Sequence, residues 1–189
     1  MEEKTKMNLT LSIDRAFYLL KHFSKIDSKT RFFFIQNNYT NELIESALCS
    51  SGSKFNYRFC KNPFELIEKI ERLQPLHFFK QENGNEVYIF TIESNFIGVD
   101  NLIPLEDLTL TERSKIKYEL RNGYEIGTFT TKKMHPTKEC VLVLKSDSNE
   151  VVTIFPGIYA PPFPISIANE ELKLKAEYFW ANHLFLINQ

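Results

Sequence analysis

The sequence predicts an α+β fold: N-terminal helices, then a mostly antiparallel β-sheet, with a C-terminal helix packed on the sheet. Three observations predict it. Up to about residue 75 the apolar residues recur mainly at helical spacing, from residue 76 onward they mainly alternate, and Asn169–Leu186 returns to helical period. The natural division is a helix-rich region 1–75 and a sheet-rich region 76–189, together forming one compact unit.

In chain order, Ile13, Phe17, Leu20 and Phe23 fall on one helical face over Ser12–Ile26, with Ser12 placed as N-cap and Asp14 in the first turn. Arg31–Gln36 (RFFFIQ) is a short aromatic run of the kind a buried strand uses, and Thr40–Cys49 resumes helical period through Leu43, Ile44, Ala47 and Leu48. Asn62-Pro63-Phe64-Glu65 is the clearest local signal. It supplies an N-cap, a proline at the first helical position and a glutamate three residues after the cap, which predicts a helix to about Gln74.

After Pro75 the period becomes that of strands. His77-Phe78-Phe79 and Val87–Ile92 flank Asn83-Gly84, a hairpin pair that tolerates positive φ. Phe96–Val99 reads as another short strand and Pro104–Leu108 as one helical turn. Thr109-Leu110-Thr111-Glu112 is a capping box, and Asn122-Gly123 supplies a stop, so a basic helix is expected over Leu110–Arg121. Tyr124–Thr131 alternates, and His135-Pro136 breaks it. Two apolar runs, Cys140–Leu144 and Val151–Phe155, then enclose Ser146-Asp147-Ser148-Asn149, a hairpin apolar enough to belong in the middle of a sheet. The following Tyr159-Ala160-Pro161-Pro162-Phe163-Pro164 must leave the sheet, because proline has no N–H to give a ladder. Finally, Asn169–Leu186 places Leu172, Ala176, Phe179, Trp180 and His183 on one helical face.

A hydrophobic share of 43% and a charged share of 25% are ordinary for a folded domain, whereas 17 Phe and 8 Tyr give an unusually aromatic interior. Cys49, Cys60 and Cys140 are odd in number and lack C-x-x-C spacing, which predicts buried free thiols and a reducing compartment. No apolar run is long enough to span a bilayer and the N-terminus has no apolar core, so a cytoplasmic protein without membrane association is expected. His22, His77, His135 and His183 are isolated and form no metal-ligand spacing, and P-loop, G-x-G-x-x-G and G-x-S-x-G motifs are missing. Neither a metal nor a cofactor is expected.

The net charge of −1 argues against a general nucleic-acid coat, but the charge is unevenly placed. Between Arg113 and Lys138 stand seven basic residues against two acidic ones, with His135 among them. An anion would be drawn there. Histidine titrates near neutral pH, so His135, flanked by Lys132, Lys133 and Lys138, is the best candidate for proton transfer. Arg121 suits a phosphate clamp, Arg113 adds to the same field, and Tyr159 stands where the chain leaves the hairpin. His183 and His77 read as structural.

The segments IGVDNLIPLEDLT, KYELRNGYEI, HPTKECVLVLK, EVVTIFPGIYAPPFP and EYFWANHLFL lie between about residues 96 and 187. Together they resemble bacterial and phage-associated proteins of the barnase/EndoU/colicin/RelE-like (BECR) nuclease superfamily, which includes toxin domains. The resemblance implies N-terminal helices before an antiparallel core sheet and metal-independent RNA cleavage. It also implies RNA and an immunity or antitoxin protein as partners, and a polar active-site residue at Thr153. The resulting site is catalytic His135, Arg121, Thr153 and Tyr159, with Lys132, Lys133, Arg113 and Lys138 binding substrate. Such cleavage needs a base for the 2′-hydroxyl, cations for the crowded phosphorus and an acid for the leaving oxygen. The competing expectation is a non-catalytic protein-binding module that docks through its aromatic and proline-bearing edge, which the near-neutral net charge favours.

Overall fold

The computed structural model describes residues 6–93 and 95–189. Its helices are α1 (Ile13–Tyr18), α2 (Ser28–Gln36), α3 (Asn41–Leu48), α4 (Pro63–Ile70), α5 (Leu110–Arg113) and α6 (Glu170–Ala181). Its strands are β1 (Lys54–Phe55), β2 (His77–Lys80), β3 (Glu86–Thr91), β4 (Gly98–Asp100), β5 (Leu102–Pro104), β6 (Lys117–Arg121), β7 (Tyr124–Thr131), β8 (His135–Thr137), β9 (Glu139–Leu144), β10 (Val151–Pro156) and β11 (His183–Asn188). The fold is α+β, with predominantly antiparallel sheets and helices concentrated at the N-terminal end. Two units alternate along the chain. The first runs to Val99 and resumes over Pro136–Gly157, and the second takes Asp100–His135 and Ile158–Gln189.

In the first unit, polar caps start the helices where the sequence places them. Ser12 Oγ accepts from Arg15 N (3.1 Å), Thr40 Oγ1 from Leu43 N (3.2 Å) and Asn62 Oδ1 from Glu65 N (2.8 Å). α1 tightens after Tyr18 into a 3₁₀ turn, Leu19–His22, and α4 ends at Ile70, short of the expected Gln74. The RFFFIQ run is not a strand: it lies in α2. Asp27 caps that helix, accepting from both Thr30 N (2.9 Å) and the Thr30 hydroxyl (2.8 Å), which commits the following residues to helical geometry. The aromatic rings then point in different directions, Phe34 fully buried and Phe32 exposed.

These helices share one core with the sheet β10-β9-β3-β2, whose strands are all antiparallel. Residues before 75 are therefore structurally continuous with the central hairpin. β9 is an interior strand, as is β3, with Val141, Leu142, Val143 and Leu144 buried, whereas β10 is an outer strand rather than a central one. Cys60 and Cys140 are buried as expected, and burial pushes the Cys60 thiol up to about 12. Cys49 is exposed, because it follows the last turn of α3 instead of lying on its inner face.

The second unit departs from the expected elements in two places. The capping box at Thr109 is present, Thr109 Oγ1 accepting from Glu112 N (3.1 Å) and Glu112 Oε2 from Thr109 N (2.8 Å), but α5 stops at Arg113. Lys117–Arg121 is the strand β6, paired antiparallel to β7 from Lys117 opposite Thr128 to Arg121 opposite Tyr124. Asn122 (φ +49°) and Gly123 (φ +80°) are the two central residues of a tight hairpin, a turn that requires positive φ at both places and strands on both sides. The terminal helix likewise ends early, at Ala181, where Asn182 Nδ2 donates to Tyr178 O (2.8 Å). His183–Asn188 is then a strand inside the sheet β5-β11-β7-β6, antiparallel to β5 and parallel to β7.

One face of this second sheet packs Leu102, Ile126 and Phe185 with Ala176 and Trp180 of α6. The other gathers Ile103, Leu184 and Leu186 with Leu108, Ile116 and Met134. Among the described residues, no helix is long and apolar enough to cross a membrane.

Candidate functional site

The site grows out of the polar end of β7. After Thr131, Lys132 and Lys133 stay exposed, Met134 turns into the apolar cluster with Leu108, and His135 is thereby turned outward, 51% exposed. Its Nε2 stands 3.8 Å from Oδ2 of Asp107, the last residue of the 3₁₀ turn Leu105–Asp107. That separation is an ion pair when the ring is protonated, and too long for a hydrogen bond.

A second carboxylate lies in the same unit, and it is buried. Asp100 is 5% exposed; its Oδ1 accepts from Leu102 N and its Oδ2 from Ile158 N, both at 2.9 Å. Burial pushes its carboxyl up to about 6, against the opposing pull of the two N–H donors and of the neighbouring His135. The bond to Ile158 also fixes the start of the proline-bearing tail, so Tyr159, the next residue, is anchored by Asp100 through the backbone. Further along, Trp180 Nε1 donates to Pro161 O (3.1 Å), and Phe163 lies between the Tyr124 and Trp180 rings, at centroid distances of 5.3 and 4.8 Å.

The other expected site residues are distributed as follows. Arg121 is at the tip of the β6–β7 hairpin, not at a helix end; its Nε is 2.5 Å from Glu119 Oε1 and its guanidinium lies 4.3 Å from the Phe185 ring centre. Arg113 Nε donates to Leu108 O (3.1 Å), which ties it to the backbone behind α5. Thr153 and Lys138 belong to the first unit. Thr153 is half-buried on β10 opposite Val143, and Lys138 Nζ donates to Glu93 O (2.8 Å) with the Phe96 ring 5.4 Å away. The second unit therefore holds His135, Arg121, Arg113, Lys132, Lys133 and Tyr159.

The two aspartates are the residues that sequence reasoning passes over. Nothing local separates Asp100 from a loop aspartate, since what marks it is burial and a bond to a residue 58 positions away. Asp107 carries the weak signal of an acid in the turn before the basic segment. Among the described residues, no group of three or more His, Cys, Asp or Glu side chains is placed to hold a metal ion.

His183 also departs from expectation. It opens β11 rather than lying on a helix face, its Nδ1 is 2.7 Å from Phe179 O, and its ring stacks on Phe179 at 3.8 Å. With Leu174, Lys175 and Tyr178 these residues line a shallow, largely apolar pocket of about 460 Å³.

The fold and site define an α+β protein with an exposed histidine that follows a lysine pair in the chain and stands beside Asp107. No family model matches the chain, and no curated protein matches it. Among solved structures it is similar to a conserved hypothetical protein from Toxoplasma gondii ME49, at 12% identity and a TM-score of 0.48, over 68% of this chain and 87% of that one.

Proposed function

We propose that the second unit carries a metal-independent ribonuclease centre of the BECR type, with RNA as substrate. The observation that carries the reading is the exposed His135 imidazole beside Asp107, next to Lys132 and Lys133. Histidine is suited to take the 2′-hydroxyl proton, and Asp107 gives the imidazolium a counter-ion. The freed oxygen attacks the adjacent phosphorus, the P–O5′ bond breaks, and the departing oxygen takes up a proton. The products are a 2′,3′-cyclic phosphate and a 5′-hydroxyl. Lys132 and Lys133 offset the charge on the phosphate, Arg113 extends the cationic field, and Tyr159 is the candidate to protonate the leaving oxygen or stack on a base; Arg121, paired with Glu119 and lying over Phe185 on the other face of the sheet, is left out of the centre.

Purified protein incubated with structured and unstructured RNA in EDTA tests the reading. Wild type cleaves, His135→Ala is slower by about 10² to 10⁴-fold, and His77→Ala cleaves at the wild-type rate. RNA left whole by wild-type protein in both EDTA and magnesium ends the proposal.

A second reading, a protein-binding module, is favoured by the pocket around Phe179 and His183, where Leu174 and Tyr178 remain 64% and 76% exposed. On that reading, partner binding is insensitive to His135→Ala and lost with Tyr178→Ala.

A further inference from the structure

β6 is an outer strand of its sheet, and it is exposed along nearly its whole length. Tyr118 is 66% and Leu120 76% exposed on one face; Lys117, Glu119 and Arg121 alternate onto the other. Large apolar side chains on an open sheet edge are unusual, because such an edge invites pairing with another strand.

The register says which backbone groups are open. The two-residue loop Asn122-Gly123 makes Arg121 and Tyr124 a hydrogen-bonded pair, and alternation makes Glu119 with Ile126 and Lys117 with Thr128 the next ones. Tyr118 and Leu120 consequently direct their N–H and C=O groups away from β7, into solvent. The same two residues present the exposed side chains.

We propose that this edge is a pairing surface for a second copy of the chain, with the two β6 strands antiparallel about a twofold axis at Tyr118. In that register Tyr118 exchanges both backbone hydrogen bonds with Tyr118 of the second copy. Each Leu120 N–H meets the Ile116 carbonyl of the other chain; the Ile116 N–H is already donated to Arg113 O (3.2 Å) and is not needed. On the apolar face, Tyr118 meets Tyr118 and Leu120 meets Ile116. On the charged face, Lys117 stands opposite Glu119 of the second copy, and Glu119 opposite its Lys117. The strand KYELR is thus complementary to itself in charge, and this selects a second copy over an unrelated strand. Moving the axis to Glu119 would set the two glutamates against each other.

The contact is small, so the dimer is weak and concentration-dependent. Sedimentation equilibrium of the full chain from about 5 to 500 μM spans the affinities expected of such a contact. Wild type should move from the monomer mass toward twice that value. Tyr118→Pro removes an outward N–H that the β6–β7 ladder does not use, and should keep the protein monomeric. Glu119→Lys replaces attraction by repulsion and should weaken association by about tenfold or more. Combining it with Lys117→Glu restores the opposite pairs and should recover the dimer. The charge-swap series decides the matter if Tyr118→Pro fails to fold, as judged by circular dichroism. A wild-type monomer at every concentration overturns the proposal and leaves the edge to the strand of another protein. So does a dimer indifferent to both Glu119→Lys and the swap.

Discussion

Replacing Asp100 by asparagine removes a group whose effect on stability has a definite sign and size. The carboxyl has an ordinary value of 3.8 and is pushed to about 6, mainly by burial, in the folded protein. Between those values the folded state holds a proton that the unfolded state has released, so stability falls as pH rises. The contribution is complete below about pH 4 and lost once pH passes about 6. At about 1.4 kcal/mol per pH unit this amounts to about 3 kcal/mol. Trp180, the only tryptophan, lies in the same unit, is buried and donates to Pro161 O, so its emission follows the unfolding of this region. Urea titrations at pH 4 and pH 7, read by that emission, give the difference in unfolding free energy for each protein. Groups that do not interact with Asp100 titrate equally in both proteins and cancel when variant is compared with wild type, and making the comparison in a His135→Ala background removes the one histidine coupled to it. Wild type should be relatively more stable at pH 4, by about 3 kcal/mol, than Asp100→Asn. The same pH dependence in both proteins refutes the reasoning, and so does a difference of opposite sign. The nearby His135 opposes the upward shift, so His135→Ala should move the Asp100 titration further up in a carboxyl NMR experiment.

Three further outcomes follow from the geometry. His22 is held near 4 by burial, so the unfolded state binds the extra proton between about 4 and 6.5, and stability should fall by about 3 kcal/mol as pH drops through that window; urea titrations of His22→Gln followed by circular dichroism should lack this loss. Gly98→Ala would set a Cβ 2.2 Å from the Lys54 carbonyl oxygen and force β1 from β4, costing about 3 kcal/mol or more, measurable as a lower urea midpoint. Gly123→Ala, at φ +80°, should cost about 1 kcal/mol and shift the tryptophan-monitored midpoint to lower urea.

Helix starts were readable because a cap and its N–H partner lie three residues apart, as at Ser12, Asn62 and Thr109. Asp27 is a cap of the same kind, but the aromatic run after it resembles a strand to a reader who weighs composition first. Asn122-Gly123 serves equally as a helix stop and as a hairpin turn. Lys117–Arg121 decides between them, since Tyr118 and Leu120 alternate with charges at period two. β11 was hidden because Phe179, Trp180 and His183 fit a helical stripe, and only Asn182 marks the break. The split into alternating units could not be read from the sequence, because it depends on which distant segments pack together. For the site, the basic segment and its histidine were legible as local composition. Asp107 and Asp100 were not, since proximity to His135 is a tertiary property.

Whether His135 acts on RNA is tested most directly by the ends left on the cleaved strand. Mass spectrometry of RNA treated in EDTA should find 2′,3′-cyclic phosphates and 5′-hydroxyls with wild-type protein and neither with His135→Ala. Intact RNA contradicts the proposed chemistry, as do 3′-hydroxyl and 5′-phosphate termini or the same cleavage by the variant.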